Sequence, residues 1–290
     1  MPVCARHSQW MYQGSAYGVA GEVERPFRHV IPTQAATVLG TSGGRGMDRV
    51  EKFKLEGVLS FDAAFVEVGG SFDDCHGRHT SYASSTIENL NILNVVTADR
   101  VVSRIAVYSP TKDDDNDDFT FNITGSHFDN LRVAGHKIDV KLATHIFHEH
   151  DTHSRIAEAH KKGQLDEWLL GSKLKENELP KLEDEYHALG GMSQLVKAWK
   201  QKGDKRNIDN MSFSPVNHVD IEKSLDRTEL RAFGSIICVP KFGVVRLAEL
   251  SARKHCVNLV MLRVDMCSTG TGGTTSGGTG GGGAWPGGRP

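Results

Sequence analysis

The chain has 290 residues, 38% hydrophobic and 24% charged, the make-up of a globular protein long enough to bury a core as one large β domain or two average ones. Lys and Arg total 34 against 36 Asp and Glu, so no global field draws it to nucleic acid or to an anionic membrane. No apolar run approaches the roughly eighteen residues that cross a bilayer, the N-terminus lacks a basic-then-apolar leader, and the five cysteines include no CxxC pair; a cytoplasmic chain without a disulfide framework is expected.

Residues 1–28 carry few patterned apolar positions, and Pro26 interrupts any ladder, which predicts an irregular arm with one short strand at Tyr17 to Val23. His29 to Leu39 reads as a strand entering the glycine-rich run Gly40 to Gly46. Such glycines let backbone N–H groups approach a phosphate. The spacing nevertheless fits neither GxxxxGK[ST] nor GxGxxG, and a strand pattern, Val50 to Val68, follows instead of a helix, so a hairpin or connecting loop is expected.

One eight-residue pattern then occurs three times, at Val50–Gly57, Ile87–Asn94 and Phe128–Gly135. Each has an apolar residue, an acid, large apolar residues at the fourth and sixth places and Gly or Asn at the eighth. Gly and Asn tolerate a left-handed turn position, so each run predicts a strand, a tight turn and a second strand, spaced by about 40 residues. The second strand of the middle unit is the clearest. Val95, Thr97, Val101, Ser103, Ile105 and Val107 share one parity and Arg100, Arg104 and Tyr108 the other, the rhythm of a half-buried strand.

Between these units lie two polar runs. Asp73 to His79 mixes metal-capable side chains but sits between strands, where a solvated loop is expected. Asp113 to Asp118 starts like a calcium loop, yet has Asp118 where Gly belongs and Thr124 where Glu belongs, so an acidic hairpin loop is favoured over weak calcium binding. Ile138, Val140, Leu142, Thr144 and Ile146 alternate as a strand. From Ser154 to about Lys202 the spacing turns helical: Leu165, Trp168 and Leu169, then Leu179, Leu182, Tyr186 and Leu189, then Met192, Leu195, Val196 and Trp199. Strands resume at Gly234–Val239, Val244–Leu250 and Cys256–Met266, and the glycine-rich end predicts a flexible tail.

The order is therefore an irregular arm (1–28), a first part of a β core (29–147), a helical insertion (148–206), the last part of the core (207–267) and a tail (268–290). The fold class is mainly β, an antiparallel sandwich or curled sheet of repeated hairpins with a helical insertion.

One constellation carries chemistry. His148, His150, Asp151 and His153 follow a strand and precede a helical stretch, with His145 and His160 close in sequence. Imidazoles and a carboxylate at this spacing are what a zinc site uses. The run is similar to the HxHxDH motif of the metallo-β-lactamase-like hydrolases, with His148, His150 and His153 on its histidines; the motif's Asp falls at Thr152, and the acid here is Asp151. The resemblance implies downstream ligands, for which His187, His218 and Asp220 are the nominal candidates. No Ser-His-Asp, Cys-His or paired-carboxylate arrangement stands out, so catalytic residues are not assigned and whether the protein is an enzyme stays open. A non-catalytic binding or structural role is expected; the sequence does not identify a partner, the candidates being a protein and a second copy of the chain. A zinc-dependent hydrolase and a self-assembling structural subunit are the alternatives.

The runs YGVAGEVERPFRHVIPTQAATVLGTSGGRG, STIENLNILNVVTADRVVSRI and GSHFDNLRVAG resemble a group of uncharacterised bacterial proteins, and the second run is similar to the choice-of-anchor P family. These resemblances imply a β-rich bacterial protein and bring no catalytic or binding residues with them.

Overall fold

The computed structural model describes residues 11–23, 29–110, 119–186, 211–222, 230–253, 256–266 and 280–281. In chain order the strands before the insertion are β1 (Ser15–Val23), β2 (His29–Val38), β3 (Gly44–Leu55), β4 (Leu59–Asp73), β5 (Arg78–Ile92), β6 (Val96–Pro110), β7 (Thr120–Asn122), β8 (His127–Asp129), β9 (Arg132–Val133) and β10 (His136–Leu142). The insertion contributes α1 (Ile146–Glu149), α2 (His153–Lys161), a 3-10 turn (Asp166–Trp168) and α3 (Leu179–Glu185). After it come β11 (Met211–Phe213), β12 (Val216–Ile221), β13 (Arg231–Phe233), β14 (Ile236–Val239), β15 (Gly243–Arg253), β16 (Cys256–Met266) and β17 (Gly280–Gly281). The acidic run 113–118, the lysine-flanked Trp199 and His187 lie outside the described residues.

Of the two forms expected, the chain adopts the sandwich. One sheet is the meander β3–β4–β5–β6, and the far edge of β6 is taken in turn by β7, β8 and β9 before β10 and β12 extend it. The other runs β2–β1–β17–β16–β15–β14–β13, with β11 also on β15. β1 and β2 lie against β4, and β16 lies against β6. Their facing residues, among them Ala16, Val19, Phe61, Val66, Ile87, Ile105, Leu247, Leu259 and Val264, form one buried core.

The threefold pattern has a physical basis that strand alternation alone does not supply. Its eighth residues, Gly57, Asn94 and Gly135, take φ of 70°, 56° and 83° at the hairpin turns. In the second and third units the preceding Leu93 and Ala134 are left-handed as well; the third loop has two residues between paired Val133 and His136, the geometry that matches the strand twist, and the second has three between Ile92 and Val96. Its third residues, Lys52, Asn89 and Asn130, are also left-handed, at 54°, 51° and 48°. At each kink the acid and the left-handed residue after it both face outward, so Ile87 and Leu90 both point into the core although they are three apart. Asn89 Nδ2 donates to Asp62 Oδ2 of β4 at 2.7 Å and Asn130 Nδ2 to Asp99 Oδ2 of β6 at 3.2 Å, so each of these two kinks is tied to the strand beside it, and the three kinks line up in one row across the sheet.

That row corrects one expectation. Val101, Ser103, Ile105 and Val107 are buried as their parity predicts, but Asp99 and Arg100 both face outward, so the inward residues of β6 before them are Val96 and Ala98 instead of Val95 and Thr97. β10 likewise stops at Leu142, and Ile146 opens α1 instead of extending the strand. Residues 39–43 pass from β2 in one sheet to β3 in the other, and the rest of the glycine-rich run, Gly44 to Gly46, opens β3. There the open edges are guarded: Asp48 Oδ2 accepts the Ala36 N–H at 2.9 Å, and β3 exposes Arg45, Arg49, Glu51, Lys52 and Lys54.

The insertion does not float. Leu165, Trp168 and Leu169 enter the main core, while Leu170, Leu174, Leu179, Leu182 and Tyr186 pack on Ile236, Cys238 and Val244 on the outer face of the second sheet. Burial there pushes the Tyr186 hydroxyl up to about 12, with the Glu185 carboxylate beside it adding to the shift.

Within the sandwich, Ser85 and Ser103 are cross-strand partners with no exposed surface, and neither hydroxyl has a hydrogen-bond partner. A buried hydroxyl without a partner costs about 1–3 kcal/mol. Ser103→Ala is therefore expected to stabilise the protein by about 1 kcal/mol, read as a higher urea midpoint at unchanged slope. A lower midpoint would contradict this account of the pair.

Candidate functional site

The residues named for zinc sit where the insertion leaves the first sheet. The Phe121 N–H donates to the Asp151 carbonyl at 2.8 Å, and Thr120 bridges to Thr152, so β7 holds the junction in place. Thr152 is the N-cap of α2 and accepts the Arg155 N–H at 3.1 Å, as a hydroxyl residue before a helix does. Asp151 receives the Arg155 guanidinium at 2.7 Å. His153 is buried and His150 is half-buried, its N–H closing α1 on the Ile146 carbonyl at 3.0 Å. The His148 side chain lies outside the described residues. Among the described residues no three His, Cys, Asp or Glu side chains are grouped to hold a metal ion. His145 and His160 are engaged edge-on with Trp168 and Phe213, and His218 and Asp220 are exposed on β12.

Two polar clusters that sequence reasoning did not assemble stand on the outer faces of the sheets. On the first sheet, Glu67 of β4 accepts Arg45 of β3 at 2.8 Å and the hydroxyl of Tyr82 of β5. Burial by itself would raise the Glu67 carboxyl. The bonds from Arg45 and Tyr82 and the charges of Arg45 and Arg104 outweigh it and hold the group below its ordinary value. Tyr82 reaches Glu67 because its cross-strand partner is Gly69, where a Cβ would lie 2.3 Å from the ring. One end of the same face carries Arg78 over the Tyr108 ring at 4.3 Å, with Asp73 taking both Arg78 and His76. Phe65, Tyr82 and Tyr108 alternate with buried neighbours and so share this outward face with Arg45, Arg78 and Arg104.

On the second sheet, Arg246 of β15 meets Asp265 of β16 at 3.2 Å and Glu249 at 3.6 Å, and Glu249 takes Arg263 at 2.9 Å. Burial raises the Asp265 carboxyl above its usual range despite the two guanidinium groups. A charge set inside GVVRLAEL and LVMLRVDM, runs otherwise apolar on both faces, was the available signal.

A small cleft opens between the insertion and β11–β14, walled by Trp168, Phe233, Lys173, Ser214 and Ser235, with about 40 Å³ of room. A water needs about 10–15 Å³ by this measure, so the cleft suits a few waters and not an organic substrate.

Fold and surfaces together define an antiparallel β-sandwich carrying a helical insertion and two polar outer faces. The chain belongs to a family described as a domain of unknown function (DUF8256), whose model matches residues 10–253. Neither a curated protein nor a solved structure matches it. No helix among the described residues is long and apolar enough to cross a membrane.

Proposed function

We propose that this is a non-catalytic binding or structural protein of the cytoplasm, and that its contact surface is the outer face of the first sheet. The observation that carries the reading is the row of Phe65, Tyr82 and Tyr108 interleaved with Arg45, Arg78 and Arg104 on long, mutually paired strands. Rigid aromatic and guanidinium groups are the side chains that anchor protein interfaces, and strands hold them more accurately than loops do. A bacterial origin is part of the proposal, from the sequence resemblance to uncharacterised bacterial proteins and to the choice-of-anchor P family, which transfers no functional residue. A peptide and protein array probed with the wild-type chain and with Tyr82→Ser plus Tyr108→Ser tests it. Ligands lost by the variant at unchanged Tm are the expected result, and retention of every ligand rejects this face.

The zinc-hydrolase alternative rests on the spacing of His148, His150 and His153 with Asp151 beside them, and it makes a separate prediction. Protein purified without a His tag is expected to carry well under one zinc per chain, and His150→Ala plus His153→Ala to leave its metal content unchanged. Stoichiometric zinc lost on that substitution, measured by mass spectrometry of the metal, would establish the alternative instead.

A further inference from the structure

Among the described residues, the gap between β1 and β16 in the second sheet is filled by β17. β1 pairs with β2 on one side, and β16 with β15, but β1 and β16 do not pair with each other. Between them lies β17: Gly280 is opposite Tyr17 and Val260, and Gly281 is opposite Ala16 and Leu259. Both pairings are antiparallel, so β1 and β16 run parallel, separated by the width of one strand, about 10 Å from axis to axis. Without β17 the sheet falls into the β1–β2 hairpin and a β16–β15–β14–β13 block.

The slot fits glycine for reasons on both of its faces. Outward, Gly280 lies in the row of Tyr17, whose hydroxyl is raised by burial and feels the charges of Arg263 and Glu249 on the strands beyond β17. Inward, Gly281 stands between Ala16 and Leu259, both buried, and β17 lies against β5 and β6 of the opposite sheet. Recognition is left to the backbone, with edges on two sides to pair with, the mode by which a strand is added to a sheet.

Nor does the connection force the strand in. Residues 267–279 join Met266 to Gly280, while the pairing lies only six residues back along β16, about 20 Å. Thirteen residues reach about 43 Å when extended. The tail offers further Gly-Gly pairs at Gly272–Gly273, Gly277–Gly278 and Gly282–Gly283, and a strand without side chains specifies its register weakly.

The geometry points to the slot between β1 and β16 as a strand-binding site for a glycine-rich backbone, with this chain's own C-terminal tail as its detachable ligand. This goes beyond the proposed contact face, which lies on the other sheet. To test it, a protease site replaces residues 270–274 of the full chain, and the folded protein is cut there. The fragment bearing Gly280 and Gly281 is expected to co-elute with the body on gel filtration at micromolar concentration. An excess of a synthetic peptide of residues 275–290 should displace it, and the same peptide with Gly277, Gly278 and all four of Gly280 to Gly283 replaced by valine should not. A fragment that elutes alone, or a valine peptide that competes equally, overturns the assignment. Independently, replacing Gly277, Gly278 and all four of Gly280 to Gly283 by proline in the uncut chain should speed amide exchange in the Ala16–Tyr17 and Leu259–Val260 segments at least tenfold, and unchanged exchange there also overturns it.

Discussion

Gly18→Val is expected to lower the unfolding free energy by about 3 kcal/mol, at the upper end of what overpacking a core costs. Gly18 lies in β1, facing Ala64 of the opposite sheet. A Cβ there would be 2.8 Å from the Gln34 carbonyl oxygen of β2 and 3.0 Å from the Ala64 Cβ of β4. The first obstacle is backbone and cannot rotate away, and the second is a side chain with no exposed surface. The strain must therefore spread either into the β1–β2 ladder or into the separation of the sheets. Urea unfolding read by circular dichroism measures the loss. Gly18→Ala combined with Ala64→Gly should recover part of what Gly18→Ala alone costs, because only the inter-sheet contact is relieved. Full additivity of the two changes would mean that the sheets do not meet at this pair.

Arg246→Ala is expected to cost about 3 kcal/mol at neutral pH, the scale for breaking a buried ion pair from one side. The side chains of Arg246, Glu249 and Asp265 retain only 13%, 12% and 8% of their exposure. Removing the guanidinium leaves two carboxylates near each other with Arg263 as their remaining cation. The pH dependence follows from Asp265. Its folded-state carboxyl is raised above 3.8 by burial, with Arg246 and Arg263 lowering it and Glu249 raising it. A raised acid binds more protons folded than unfolded, so its contribution favours the fold in acid and fades as pH rises from about 3.8 through the folded value. Loss of Arg246 raises that value further. The deficit of Arg246→Ala should thus shrink as pH falls from 7 towards 4, and Asp265→Asn should remove this part of the profile. Urea midpoints across that range provide the check, and a deficit that grows in acid would contradict the burial of Asp265 as its cause.

Much of the fold was legible in the sequence, and the threefold run shows why. Gly57, Asn94 and Gly135 announce turns because few other residues hold a left-handed backbone cheaply. The alternation of Val101 to Val107 announces a strand half in the core. Lys52 gave no such warning, since lysine has no preference for a left-handed conformation, yet it occupies the same kink as Asn89 and Asn130. Only the ladder between strands reveals that the kinks are aligned and that Val96, not Val95, turns inward.

Local rules reach as far as hydrophobic rhythm and turn chemistry, because both are set by a residue and its neighbours within one strand or turn. By itself the sequence determined a mainly β chain of hairpins interrupted by a helical segment. The tertiary structure alone decided what depends on partners far apart in the chain: Arg246 with Asp265, Glu67 with Arg45 and Tyr82, Leu179 of the insertion on Ile236, and Gly280 between Tyr17 and Val260. Such pairings are chosen by the summed burial and register of whole sheets, and no single stretch of residues encodes that sum.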